Sequence, residues 1–394
     1  MITLENTQAN AVAAAISDER RRSGSPTVGM VLTLIILTDE LNQAEALAAA
    51  TLAAREHPMR VIVLIERPGR GTPHLDAQIY VGGDEGAGEI IACRLHGELT
   101  KHAGSVAIPL LLPDTPVVAW WPGQSPDRPS DDPIGMHAQR RITDANASSN
   151  YMEELQVRLD NYVPGDTDLA WTRTTPWRSV LAAALDQPVG RVQEATIYVQ
   201  ARIASGPLLA GWLRKRLHVP THIKHVKGPG ITKVVLKTSK GEVVLCRPDG
   251  RVAELTMPGA PIAYVALPRR NAAELLAEEL RRLDPDEIYH QALRGVDLVV
   301  HPLEDTIHKK STKPVKKSAT KAEAAASTAK KSPAKKASTA STKKAVTKKA
   351  VAKKNAAKKS ATKPATTPSK SVKKPVKSSA KPAKSSTKSA TRKK

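Results

Sequence analysis

The chain has 394 residues, no Phe, and 61 Lys or Arg against 38 Asp or Glu, a formal charge of +23. Of the basic residues 29 lie in 309–394, where Glu323 is the lone acid, so residues 1–308 hold 32 basic and 37 acidic residues and the high charge implies no basic surface there. The two cysteines, Cys93 and Cys246, are too few for a disulfide framework or a cysteine zinc site and read as buried free thiols in a reducing cytoplasm.

Residues 4–22 read as a short helix. Arg20-Arg21-Arg22 before the apolar run Val28–Leu37 has the look of a signal peptide. However, Glu5, Asp18 and Glu19 come first, no small-residue cleavage site follows, and Thr38-Asp39-Glu40 closes the run. Ten apolar residues are also too few to span a bilayer, so no membrane segment is expected. Val28–Thr38 lacks alternation and is predicted to be a central strand buried on both faces. The Ala- and Leu-rich stretch Leu41–Arg55 predicts a helix, stopped by His57-Pro58. Arg60–Ile65 is a second buried strand, which makes a parallel strand–helix–strand unit.

Leu75–Gly82 and Glu89–Leu95 read as further strands, joined through a Gly-rich turn. Thr100–Leu112 is predicted to be a helix and Pro116–Trp121 a short strand, followed by a Pro- and Asp-rich loop over 122–133. Arg140–Asp144 then leads into helices over Tyr151–Asn161 and Trp177–Leu185. Val192–Ala201 is strand-like and Leu208–Leu217 is an amphipathic helix. Four runs between Ile231 and Leu267, with turns at Ser239-Lys240-Gly241 and Pro248-Asp249-Gly250, predict an antiparallel meander. Two helices, Asn271–Leu283 and Pro285–Leu293, close the folded part.

The expected organisation is an α/β domain over 1–145 with a mainly parallel or mixed sheet, then a smaller α+β domain over 146–308. Residues 309–394 repeat Lys, Ala, Ser, Thr and Pro with almost nothing large and apolar. They cannot bury enough surface to offset the entropy of ordering and are expected to be disordered.

Catalytic motifs are missing. There is no GxxxxGK[ST] and no G-x-S-x-G. Gly82–Gly88 (GGDEGAG) joins two strands rather than a strand and a helix, and Asp84 and Glu85 would repel phosphate, so it reads as a turn. His218, His222 and His225 have helical spacing for a metal, but Pro220 interrupts it, and loop histidines are the plainer account. Lys224, Lys227 and Lys233 around a Gly-rich turn could hold a phosphate; a solvated basic loop is favoured. No cofactor, metal or catalytic residue is assigned.

Several stretches resemble the OpcA family in order, among them PVVAWW (116–121), RRITD (140–144) and DLAWTRTTPWR (168–178). The resemblance implies a protein that assembles or activates glucose-6-phosphate dehydrogenase and is not itself a catalyst. The candidate partner surface is Trp120, Trp121, Arg140, Arg141, Trp171, Arg173, Trp177 and Arg178, because Trp and Arg dominate interface hot spots. The competing reading is that Trp fills core volume in a chain without Phe. At most one of Trp120 and Trp121 should face a given core, since neighbours on a strand point opposite ways. One of the pair is expected to be exposed or in an interface. Residues 309–394 could bind nucleic acid or other polyanions without sequence preference, through counterion release; a nucleic-acid-associated protein is therefore the alternative function.

Overall fold

The computed structural model describes residues 1–23, 29–82 and 88–300. These residues form one compact unit. Its first part runs β1 (Ile2–Thr7), α1 (Ala9–Ser23), β2 (Leu32–Asp39), α2 (Gln43–Ala53), β3 (Met59–Arg67), β4 (His74–Val81), β5 (Glu89–His96), α3 (Ala103–Ala107), β6 (Val117–Trp120), β7 (Arg140–Thr143), α4 (Tyr151–Asp160) and β8 (Asp166–Asp168). The eight strands form one sheet in the order β1-β4-β5-β3-β2-β6-β7-β8. Six strands, from β5 to β8, run parallel, and β4 and β1 add an antiparallel margin. The mixed α/β sheet expected from the sequence is present.

The unbroken apolar runs are explained by the two faces of this sheet. Leu34, Ile36, Val61, Val63 and Trp120 pack on one side with α2. Ile35, Ile62, Leu64 and Trp121 pack on the other with Val12 and Ile16 of α1. Period-two alternation thus survives, but both phases are apolar because both faces are covered.

Several expected boundaries are corrected. Residues 4–22 are not one helix: Ile2–Thr7 makes edge strand β1 on β4, and helix begins only at Ala9. Thr100–Leu112 is broken, with α3 lying between short 3-10 turns and Pro109 unable to donate a helical hydrogen bond. Arg140–Thr143 is strand β7, and Asp166–Asp168, unassigned from the sequence, is strand β8. Such short, polar strands give no periodic signal. The sheet therefore continues past residue 145. The Gly83–Ala87 turn and residues 301–394 lie outside the described residues.

The second part runs α5 (Leu169–Thr172), α6 (Thr175–Leu185), β9 (Val192–Val199), α7 (Ser205–Leu217), β10 (Thr221–His225), β11 (Ile231–Thr238), β12 (Gly241–Cys246), β13 (Val252–Thr256), β14 (Ala263–Ala266), α8 (Ala272–Leu280) and α9 (Glu287–Val300). Its six strands are ordered β10-β9-β11-β12-β13-β14. The predicted meander is β11–β14, antiparallel throughout. β10 pairs parallel with β9, with α7 as the crossover, so the three-histidine segment is a strand rather than a helix. His218 instead ends α7 with φ 56°, in the left-handed region.

One face of this sheet is covered by α6 and α7. Helix α8 starts at a capping box, Asn271 with Glu274, and returns to the first sheet, where Leu275 and Leu276 join the core beside α2. Helix α9 crosses α7 at two glycines. A Cβ on Gly211 would stand 2.3 Å from the Ala292 carbonyl oxygen, and one on Gly295 would stand 2.1 Å from that of Gly211. Backbone meets backbone there, so no side chain can yield. Gly295→Ala should destabilise the protein by about 1–3 kcal/mol through overpacking. The check is the urea midpoint of the full-length protein, with Gly69→Ala, which points into open space, as the neutral control.

Candidate functional site

The segment from β7 to α6 carries the densest polar chemistry of the described residues. Side chains on β7 point alternately to the two faces, and both arginines find buried partners. Arg140, 4% exposed, forms an ion pair with Glu279 of α8 and donates to the Asp284 carbonyl at 2.7 Å. The other carboxylate oxygen of Glu279 accepts from Thr172 Oγ1 at 2.5 Å. Arg141 pairs with Asp166 on β8 and donates to the carbonyls of Ala138 and Pro164. Buried charges are tolerated when paired and hydrogen-bonded in this way.

Asp168 ends β8 and is fully buried. It accepts from Thr143 Oγ1 at 2.6 Å, Ala170 N at 2.8 Å and Ala145 N at 2.9 Å, and so fixes the start of α5. Burial, and next the negative charge of Asp144, raise its carboxyl to about 6 against the pull of these donors. Asp144 itself is held by both terminal guanidinium nitrogens of Arg173, at 2.8 and 2.7 Å.

The eight residues expected at a partner surface are placed as follows. Trp120, Trp121, Trp171 and Trp177 are 2%, 3%, 1% and 1% exposed, so neither member of the Trp120–Trp121 pair reaches solvent. They do point to opposite faces of the sheet, but each face has its own core. Trp171 donates its indole N–H to Asp286 at 2.7 Å and is covered by the guanidinium of Arg178, 3.6 Å from the ring centre. Arg140 and Arg141 are interior. Arg173 and Arg178 are half-buried. The tryptophans replace the missing Phe as core volume, and the arginines hold elements together.

Next to Arg173 and Trp177 lies a cavity of about 230 Å³ between α6, the start of α7, β11 and the loop before α8. Its lining includes Arg173, Arg247, Arg269 and Arg270 and no carboxylate. Arg173 is neutralised by Asp144 and Arg270 by Glu278. Arg247, 5% exposed, has no carboxylate partner among the described residues. It donates to the carbonyls of Leu267 and Ile231, lies 4.9 Å from the Trp177 ring centre, and leaves Nε without a partner. Burial, with a smaller push from Arg269, lowers it to about 10, so it remains a cation at neutral pH. Ser205 at the first turn of α7 is 3% exposed, and its hydroxyl is likewise unpartnered. No side chain caps that helix. Sequence reasoning missed this cavity because its residues come from six separate stretches.

Other candidates dissolve or appear. His222 is exposed, 3.9 Å from Glu194, and His218 sits in the turn before its strand. Lys224 and Lys233 stand over the Tyr198 ring. Cys93 is fully buried, with its thiol pushed up to about 12 by burial, and Cys246 is in the other sheet. On the first sheet's margin His74 and His96 stack at 3.9 Å beside Asp76, close enough to share a metal. Asp76 already accepts from Asn6 N and lies 3.1 Å from His96 Nε2, which accounts for the cluster as a cross-strand pairing. Where the sheet order reverses, between β2 and β6, doubly wound folds bind ligands on the N–H groups of the following helix. Here the Asp39 carboxylate takes the N–H groups of Leu41 and Asn42 at 2.9 and 2.8 Å and puts negative charge in that place.

Two family models match consecutive parts of the chain. Residues 50–160 match the glucose-6-phosphate dehydrogenase subunit N-terminal domain, and residues 164–293 match its C-terminal domain, both of the OpcA type. The chain belongs to the OpcA family. It is also 27% identical over 185 residues to a protein described as the putative OxPP cycle protein OpcA of Synechocystis, a match covering 44% of this chain and 37% of that relative's length. Solved structures similar to it include KijD10, a 3-ketoreductase from Actinomadura kijaniata (11% identity, TM-score 0.39, 69% of this chain and 97% of that one) and an oxidoreductase from Sinorhizobium meliloti (11%, 0.39, 68% and 95%).

In this OpcA-family chain the buried network joins the two matched regions: Arg140, Arg141 and Asp144 come from the first, and Asp166, Asp168, Arg173 and Glu279 from the second. The raised carboxyl of Asp168 has a measurable sign. The folded chain keeps this proton up to about pH 6, whereas the unfolded chain loses it near the ordinary 3.8. The resulting stabilisation is complete below the unfolded value and is lost as pH rises through 6. Asp168→Asn should remove this fall, which is on the order of 3 kcal/mol, from urea titrations spanning that window; an unchanged profile would assign the pH dependence elsewhere.

Proposed function

We propose that this chain is a non-catalytic effector of glucose-6-phosphate dehydrogenase, acting in the cytoplasm. The observation that carries the reading is the pair of family matches, which run in order through both sheets and name a subunit of that enzyme. Two features of the fold agree with a binding role. At the sheet's reversal the Asp39 carboxylate takes the N–H groups of Leu41 and Asn42, just before α2, and so puts negative charge where an anion would bind. The lining of the arginine cavity offers donors and a hydroxyl but no base to activate it. The effector binds one state of the dehydrogenase more tightly than another, since only unequal affinity shifts an equilibrium. Among the described residues no helix is long and apolar enough to cross a membrane.

With the core tryptophans turned inward, the proposed contact surface moves to the second sheet's free edge. Among the described residues strand β14 pairs only with β13; it has exposed side chains, and Ile262 and Tyr264 are 54% and 70% exposed. An unpaired edge offers backbone donors and acceptors to a partner, and an exposed aromatic supplies contact area.

Adding the full-length protein to the matching dehydrogenase should raise its activity at limiting substrate or shift it to a larger oligomer, with mass measured in parallel. A chain ending at residue 308 should do the same; if only the full-length chain acts, the lysine-rich segment carries the function instead. Tyr264→Ala with Ile262→Ser should weaken binding about tenfold or more without lowering the unfolding temperature, and unchanged affinity would place the contact elsewhere.

A further inference from the structure

We infer that the arginine-lined cavity is a binding site for a small phosphate monoester. This is independent of the dehydrogenase reading, since it concerns the chain alone. Four observations converge. The polar lining is cationic or donor-bearing: the guanidinium groups, the Ser205 hydroxyl and the amide of Asn146, whose oxygen is already used by Ala204 N at 2.7 Å. Once Arg173 and Arg270 are matched with Asp144 and Glu278, two guanidinium groups, Arg247 and Arg269, are left without a carboxylate among the described residues. The nearest acid to Arg247 in charge effect, Asp249, is exposed in a turn and accepts from Arg251 N and Val252 N. The 13-residue helix α7 begins at the cavity wall with Ala204 at its cap position and no acidic residue in its first turn, and the Asn146 amide that accepts from Ala204 N is neutral, so its positive end has no counter-charge from that turn.

Two of these groups are buried and unsatisfied at once: Nε of Arg247 and Oγ of Ser205. A buried donor without a partner is costly, and a buried cation without a counter-charge is more so. An anion in the cavity removes both costs. Two unmatched cations match a dianion, which a phosphate monoester is at neutral pH and a single carboxylate is not. Guanidinium groups hold such oxygens by paired hydrogen bonds, and a helix start adds to the field. The remaining wall is apolar, formed by Pro176, Trp177, Ile231 and Pro268, and suits the small carbon body of an ester rather than an ion alone.

Calorimetric titration of the full-length protein at fixed ionic strength tests this, with glycerol 3-phosphate, inorganic phosphate and glycerol as probes. The lysines of 309–394 bind anions weakly in every variant and so cancel in the comparison. Arg269 is exposed and Ser205 is small, so Arg269→Ala and Ser205→Ala keep the fold; Arg247→Met removes the buried cation. The expected result is one site for glycerol 3-phosphate, tighter than for inorganic phosphate, no heat from glycerol, and a loss of about tenfold or more in affinity in Arg269→Ala. Equal affinity of the parent, Arg269→Ala and Ser205→Ala assigns the binding to the lysine-rich segment and overturns the site. Equal affinity for phosphate and its glyceryl ester overturns the monoester. Absence of any saturable binding by the parent overturns both.

Discussion

Arg140 and Glu279 stand 139 residues apart in the chain and meet where almost no water reaches either. Alone, each would be an uncompensated charge in the interior; together, with Thr172 and the Asp284 carbonyl, each is matched. The first partner lies on the far half of the first sheet and the second on the helix that returns from the second sheet. The pair therefore ties α8, which follows the second sheet, back onto β7 of the first.

The same chain treats a second interior arginine differently. Arg140 and Arg141 have carboxylates in contact, whereas Arg247 is held by two backbone carbonyls and an indole face. Carbonyls satisfy N–H groups but do not cancel charge. The contrast separates structural cations, whose counter-charge is covalently part of the chain, from one whose counter-charge has to come from outside. Asp168 shows the converse: a carboxylate encircled by donors yet raised by burial and by Asp144, so that its proton becomes part of the folded state's stability.

Much of the architecture was legible before any coordinates. The runs of β2, β3 and β5, the Ala-rich α2, the meander and the closing helices all carry periodic or compositional signals strong enough to survive context. The missed pieces share a cause. β7, β8 and β10 are three to five residues long and partly charged or polar, and β1 is an edge strand whose pairing with β4 is non-local. Short strands exist because a neighbour offers hydrogen bonds, and the neighbour is not visible locally. The resemblance carried by PVVAWW, RRITD and DLAWTRTTPWR pointed to the family, but not to what those residues do. Their tryptophans are core, and their arginines are ties, Arg140 and Arg141 buried and Arg173 and Arg178 half-buried.

By itself the sequence determined the elements with strong periodicity, the break in composition at the lysine-rich segment, and the family, because these depend on residue order and residue type alone. The tertiary structure decided which arginines are matched and which are not. Arg173 and Arg247 look alike in the sequence, but one finds Asp144 29 residues away and the other finds only carbonyls and Trp177. Charge compensation is a property of distances in space, and no local pattern encodes it.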